Sequence, residues 1–206
     1  MIPLTFRGSP DFNKPRIKIP SIHSVAVSAV YVSLKKTDKM ISAPIENALN
    51  RQIETEARSS QFYLAMASWA DTQGLSGVSK FLYRHSDEER QHMLKLIHYV
   101  NERGGKAIIP QLDKPPADFD SVQSVFKDLF EHEQNVTREI NDVVDACLTE
   151  KDYTTHNFMQ WYVSEQIEEE AMARNILDKL ALIGNDKGGL YLFDRELGGL
   201  ETHGEG

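Results

Sequence analysis

With 206 residues, the chain is long enough for one domain with a sizeable buried core. Its apolar residues (40%) and charged residues (26%) are those of an ordinary globular protein. No apolar run reaches the roughly 18 residues that a membrane-spanning helix needs, so we expect no membrane partner. The single cysteine, Cys147, excludes an internal disulfide framework and a cysteine-rich zinc site.

The charge is unevenly distributed. Residues 1–39 hold seven of the 23 basic residues and two of the 31 acidic ones. Residues 40–206 therefore carry 16 basic against 29 acidic side chains, a net charge of −13. This acidic part is unsuited to nucleic-acid binding and suited to attracting cations.

Residues 1–39 are predicted to be an N-terminal extension, separate from a domain of residues 40–206. The extension contains four of the eight prolines and shows no helical periodicity. A basic, acid-poor leader is typical of targeting segments, while a disordered tail or a true start at Met40 fits equally well. We expect a cytoplasmic protein and leave a targeting role for the extension open.

Two pairs of long helices are predicted after Met40, and no stretch has a strand pattern. Ser42 is a candidate N-cap of the first helix, with Pro44 just inside it. Glycines end the first, second and fourth helices. The four helices cover approximately residues 42–74, 76–104, 121–147 and 155–184.

The two pairs are joined by a long connection, residues 106–120. Its prolines, Pro110, Pro115 and Pro116, exclude a helix, and its length allows it to run from one end of a bundle to the other. Short turns within each pair and one crossover between them indicate a four-helix bundle. Residues 190–197 are predicted to form a short fifth helix packed against it.

Carboxylates interrupt the apolar stripe of each long helix near its midpoint, so that a bundle brings them to one level. Glu89 and His92 are three residues apart and therefore share a helix face. The interrupting residues are Glu56 in the first helix, Glu89 and His92 in the second, Glu133 in the third, and Glu165 and Glu169 in the fourth.

Several carboxylates buried together without compensation would cost more free energy than a domain can spare. Protonation could neutralise one or two of them, and the stripes hold no arginine, which leaves bound cations. The alternative is that these glutamates lie on solvated faces, which would be the better interpretation of any one of them alone. Agreement among four helices favours a metal site, and its oxygen donors with one nitrogen suit iron or manganese.

Four neighbouring side chains allow more than one interpretation. Tyr63, two turns from Glu56 on the same face, could bond a ligand, pass an electron or simply fill the core. Gln166 is equally ambiguous. His85 is predicted to be a hydrogen-bonded core residue, and His132 is predicted to point away from the cluster.

At these positions the chain resembles the non-haem bacterial ferritins over essentially all of residues 40–206. The resemblance implies an all-α, ferritin-like four-helix bundle with a long crossover between helices two and three and a short fifth C-terminal helix. The stretches that carry it are Arg84-His85-x-x-Glu88-Glu89-x-x-His92, His132-Glu133-Gln134, Asn157-Phe158-x-Gln160-Trp161-Tyr162-Val163-Ser164-Glu165-Gln166-x-Glu168-Glu169-Glu170, and Gly189-Leu190-Tyr191 with Asp194-x-Glu196-Leu197.

The resemblance also implies a ferroxidase centre with a third iron site beside it, and it places Tyr63 at the family's tyrosine position. The ligands of the first iron would be Glu56, Glu89 and His92. Glu89 would bridge to a second iron, whose other ligands would be Glu133 and, more loosely, Glu169, with Gln166 nearby. The third and more open site would be formed by Glu88, Glu165, Glu168 and Glu169.

Two departures from related families narrow the interpretation. Di-iron oxygenases, rubrerythrins and bacterioferritins usually carry a second Glu-x-x-His on the fourth helix, where this chain has Gln166-x-x-Glu169. With fewer nitrogen donors the second iron should be held more weakly, as suits iron that passes through as a substrate. Bacterioferritins bind haem through a methionine where this chain has Arg90, so we predict no haem.

The implied function is oxidation of Fe2+ by O2 or H2O2, followed by mineral growth inside a homo-oligomeric cage of 24 subunits. In that cage the fifth helix would lie at the four-fold axis, while residues 1–39 are not part of the family pattern. One alternative is a di-iron redox enzyme of rubrerythrin or oxygenase type without storage. Another is a structural shell without chemistry.

Overall fold

The computed structural model describes residues 39–199, which form five helices and contain no strand. The helices are α1 (Ala43–Thr72), α2 (Ser76–Glu102), α3 (Val122–Glu150), α4 (Tyr153–Ile183) and α5 (Lys187–Gly199). The four long helices, the crossover between α2 and α3 and the short last helix confirm the predicted fold class. The predictions for residues 1–38 lie outside the described residues.

The helix starts follow local capping chemistry. Ser42 is in an extended conformation before α1, as predicted, although its side chain makes no capping hydrogen bond. At α3 the hydroxyl of Ser121 accepts from the Ser124 amide, and the Ser124 hydroxyl accepts from the Ser121 amide. Helix α4 begins two residues earlier than predicted because Asp152 is its N-cap, with Oδ1 accepting from the Thr155 amide at 3.0 Å.

A tight turn joins α1 to α2, and Gly74 has a φ of +75° in it. This left-handed conformation suits glycine, which has no Cβ to collide with the following carbonyl group. Because the turn is short, α1 and α2 lie antiparallel and pack along their whole length.

The crossover is held against α1 at both ends. Near the start of α1, the Asn50 side chain donates to the Lys106 carbonyl at 3.1 Å and accepts from the Ile108 amide at 2.7 Å. Near its end, the Phe119 ring lies 5.8 Å from the Trp69 ring. The connection therefore runs the length of the bundle, as its composition predicted.

The apolar core is divided in two. One half contains Met66, Leu82, Phe126 and Leu180, and the other contains Leu49, Leu96, Ile140 and Met159. Between them, at the middle of the helices, lies a layer of buried polar side chains. The fold thus leaves a polar layer at the level that the interrupted stripes predicted.

Helix α5 is longer than predicted and docks on the start of α2. Asp194 Oδ1 accepts hydrogen bonds from the amides of Gly77 and Val78, both at 2.9 Å. A Cβ on Gly77 would lie 1.7 Å from the Asp194 carbonyl oxygen, so only glycine allows this approach. Among the described residues, no helix combines the length and apolar character that a bilayer crossing requires.

Candidate metal centre

The centre of the polar layer is a group of four side chains from α1, α2 and α3, here called the buried cluster. Its members are almost inaccessible to solvent: Glu56 is 0% exposed, Glu89 4%, His92 8% and Glu133 1%. Glutamate is rarely buried to this degree, so the cluster requires a physical explanation.

Glu56, Glu89 and His92 each offer one ligand atom within 4.8 Å of the other two. His92 Nδ1 lies 3.2 Å from Glu89 Oε2 and 4.0 Å from Glu56 Oε2. The Gln52 side chain donates to Glu56 Oε1 at 2.7 Å, while Glu56 Oε2 has no hydrogen-bond partner in the described part of the chain. A cation bound between these groups would satisfy that oxygen.

Glu133 is fixed by two donors, one on each carboxylate oxygen. The Tyr63 hydroxyl donates to Oε1, and the Gln166 amide donates to Oε2 at 2.7 Å. Tyr63 is fully buried. Of the roles left open by the sequence, the structure therefore places Tyr63 and Gln166 in contact with the cluster.

The structure gives two neighbouring histidines specific partners. His132, which was predicted to point away from the cluster, lies beside Tyr63 rather than beside a cluster member: its Nδ1 is 3.4 Å from both the Tyr63 hydroxyl and Ser59 Oγ. One helical step from Glu133 turns the side chain only partly away, into the groove between α3 and α1. His85 is hydrogen-bonded and buried as predicted, but its partner is the Glu169 carboxylate rather than a core group.

A second group, here called the cavity cluster, lies on the side of α2 and α4 and is more open than the buried cluster. Ligand atoms of Glu88, His92 and Glu165 lie within 4.8 Å of one another. Glu168 is exposed and belongs to no such group among the described residues. It lines a cavity of about 440 Å³ together with Glu88, Glu165 and Glu169. The cavity cluster consists of Glu88, Glu165, Glu168 and Glu169.

Burial changes the protonation of both clusters. Desolvation and the charge of Glu89 raise the pKa of Glu56 well above its ordinary value, and desolvation and the charge of Glu133 do the same to the pKa of Glu89. Desolvation and the charge of Glu169 raise the pKa of Glu133 to about 7. Burial alone would raise the pKa of Glu169, but the charge and hydrogen bond of His85 outweigh it, so the pKa of Glu169 is lowered. A cation would displace the protons that the buried carboxylates otherwise retain.

Sequence reasoning overlooked Gln52 as a partner of the cluster. It is 1% exposed and bonds Glu56 directly. The available signal was its position four residues before Glu56, which places it on the same helix face.

Comparison with known proteins agrees with this architecture. The family model described as the ferritin-like domain matches residues 46–183. A probable bacterial non-heme ferritin-like protein of Haemophilus influenzae is 45% identical over 163 residues, which cover 79% of this chain and 99% of the relative. A bacterial non-heme ferritin of Campylobacter jejuni is 45% identical over 156 residues, covering 76% and 93%.

Solved structures give the same result. An open pore ferritin from the hyperthermophilic archaeon Archaeoglobus fulgidus aligns with a TM-score of 0.77 and 44% identity, covering 79% of this chain and 99% of that one. A one-crossover helical bundle with inward-facing carboxylates defines the ferritin-like class of proteins. This chain belongs to the ferritin family, with non-heme ferritins among its relatives, as the resemblance of its motifs predicted.

Proposed function

We propose that the protein stores iron and acts as a ferroxidase that oxidises Fe2+ to Fe3+ at the buried cluster. The observation that carries the proposal is the burial of Glu56, Glu89 and Glu133 at one level, with one Glu56 oxygen unpartnered. Unpaired buried charges are expensive, and the leading charge effects on these three carboxyl groups come from neighbouring glutamates and histidines. Divalent iron is the compensation that both the donor set and the family support.

Two irons would bind at the buried cluster as substrates. Glu56, Glu89 and His92 would hold the first, with His92 supplying the nitrogen donor. Glu89 would bridge to the second, whose further ligands are Glu133 and Glu169. Gln166, which bonds Glu133, and the absence of a histidine at position 169 make the second site the weaker one.

The protein's own groups would then prepare the oxidation. Binding of Fe2+ displaces protons from Glu56 and Glu89, whose pKa values burial has raised. Tyr63 and Gln166 hold Glu133 in a fixed orientation through their hydrogen bonds to its two carboxylate oxygens. Two Fe2+ give up one electron each, and with two protons these electrons reduce either O2 to H2O2 or H2O2 to two molecules of water.

The product would leave through the cavity cluster. Glu88, Glu165, Glu168 and Glu169 line a cavity beside the buried cluster and would form the third, more open iron site. Oxygen donors without a closed coordination shell suit a cation in transit. Ferric mineral would grow beyond them.

Storage further requires a closed assembly, which we propose to be a homo-oligomeric cage of 24 chains in the cytoplasm. Large apolar side chains exposed on a single chain, such as Leu64, Ile108, Ile109 and Tyr191, support an oligomer that covers them. We further propose that residues 1–39 are an extension outside this domain. The family match, which begins at residue 46, supports that division.

The test is aerobic addition of Fe2+ to the metal-free protein, with ferric absorbance, iron content and particle size as readouts. Storage predicts many irons oxidised per chain and a large particle. About two irons per chain would contradict storage and favour the di-iron redox enzyme, while no oxidation would leave only a shell.

Glu89→Ala should abolish the fast phase of oxidation, because it removes the bridging carboxylate. Glu131→Ala is the matched control: Glu131 lies on the exposed side of α3 and pairs only with Lys127 among the described residues. A fast phase that survives Glu89→Ala would refute the site assignment.

A further inference from the structure

His85 lies in the wall of the cavity with one ring nitrogen unused. It is 5% exposed, and its Nδ1 is buried without a hydrogen-bond partner among the described residues. Its other nitrogen, Nε2, lies 3.0 Å from Glu169 Oε2. An unpartnered buried nitrogen is costly unless a proton or a cation engages it.

The hydrogen bond to Glu169 determines the tautomer of a neutral His85. An ionised carboxylate accepts only, so Nε2 must carry the proton and Nδ1 presents a lone pair. That lone pair faces Glu88, whose Oε2 lies 3.7 Å from Nδ1. A lone pair and a carboxylate oxygen at this separation can share one metal ion with ordinary bond lengths of roughly 2.0–2.1 Å.

The carboxylate behind the ring is the usual support of a metal-binding histidine. Ligating histidines generally donate their second ring N–H to a carboxylate, which fixes the tautomer and raises the basicity of the free nitrogen. Glu169 has this relation to His85, and ligand atoms of His85, Glu88 and Glu169 lie within 4.8 Å of one another. All three residues line the cavity, so a cation can reach them.

We propose that His85 Nδ1 and Glu88 form a nitrogen-containing seat for a divalent transition metal at the cavity cluster, with Glu169 orienting the ring. The seat takes cations that accept both nitrogen and oxygen donors, such as Zn2+, Co2+ or Fe2+. It deepens the proposed function, on which it rests, because the third iron site then has an imidazole ligand in addition to its carboxylates. Glu169 would then have two roles, as a ligand of the second iron and as the hydrogen-bond acceptor that orients His85.

The test uses Co2+ under anaerobic conditions on the full chain, because Co2+ absorption reports nitrogen ligation without any oxidation. The variants are His85→Gln and the control His98→Gln, which alters an exposed histidine on the same helix. Glutamine at position 85 can still donate from its amide nitrogen to Glu169, but its only other polar atom is a carbonyl oxygen, so no nitrogen lone pair remains for the metal. His85→Gln should therefore lower the affinity for one Co2+ per chain by about tenfold or more. The His98→Gln variant should bind Co2+ with the number and affinity of the wild type.

A second variant separates the seat from the buried cluster. In His92→Gln the nitrogen donor of the first iron site is lost, so any remaining nitrogen-ligated Co2+ should report His85 and should vanish in the double variant. Unchanged Co2+ number and affinity in His85→Gln would overturn the seat. If His85→Gln loses Co2+ binding but the wild-type protein does not oxidise Fe2+, the seat is supported and the proposed ferroxidase activity is refuted.

Discussion

The buried cluster and the cavity cluster use the same side chain, glutamate, at nearly the same height in the bundle, but in different surroundings. Glu56 and Glu133 are closed off between helices, and Gln52, Tyr63 and Gln166 fix their oxygens. The carboxylates of the cavity cluster are half-buried or exposed and border open space. Burial, not residue type, therefore distinguishes the two clusters. Under the proposed function this difference would separate a site that holds two irons in fixed geometry from one that lets them pass.

The electrostatics follow the same division. Desolvation raises the pKa of Glu56 and Glu89 well above the ordinary value, whereas the pKa of Glu165, in the more open cavity wall, shows a smaller rise with the same leading cause. A cation that binds in the buried cluster must therefore displace protons that are held more tightly, and its binding there should release more protons. Under the proposed function the first reaction step would take place in the buried cluster, and the cavity cluster would receive the product.

Neutralising one carboxylate in each cluster tests directly whether the two clusters differ in function, and it should have the largest effect. Glu56→Gln should slow the fast phase of Fe2+ oxidation by about 100-fold, because it removes a ligand in a closed site. Glu165→Gln should slow it by no more than about threefold, because the open site has other oxygen donors and water. Stopped-flow absorbance measures both, and equal losses would show that the two clusters do not differ in function.

The pH dependence of stability should reveal the buried cluster in the metal-free protein. The pKa of Glu133 is raised to about 7 in the folded state, above its ordinary value of 4.5, so folding is favoured at low pH and this contribution is lost as pH rises between those values. The contribution should be of the order of 1–3 kcal/mol. Glu133→Gln should make the fall of the unfolding free energy from pH 5 to 7.5 less steep by the share of one carboxyl group, because Glu56 and Glu89 still contribute. Glu131→Gln should leave the curve as in the wild type.

A smaller effect should follow from loosening the buried cluster without removing a ligand. Tyr63→Phe deletes the hydroxyl that donates to Glu133, so the carboxylate loses its fixed orientation. The fast phase should fall by about tenfold, and the folded state should lose about 1–3 kcal/mol. Chemical denaturation and stopped-flow kinetics provide the measurements. Tyr191→Phe, at an exposed tyrosine of α5, should change neither, and a fast phase that survives Tyr63→Phe at wild-type rate would remove Tyr63 from the centre.

The helical architecture could be predicted from the chain because its signals are local. Pro44 after Ser42, the glycines after α1 and α2, and the proline-rich crossover each restrict the backbone through neighbouring residues. The boundaries that were misplaced, at the starts of α4 and α5, depend on Asp152 and Asp186 as caps. These carboxylates could be recognised as helix caps only from the structure, which shows the amides that donate to them.

Helical periodicity alone predicts that glutamates from four helices meet in the middle of a bundle, because it assigns each residue to a helix face. The packing of the helices was needed to show which of these glutamates are closed off and which border the cavity. It also brought His85 to Glu169 and His132 to Tyr63, contacts that join residues more than 65 positions apart. Such contacts depend on how helices rotate against each other, and a periodic pattern fixes that rotation too coarsely to separate a ligand from its neighbour.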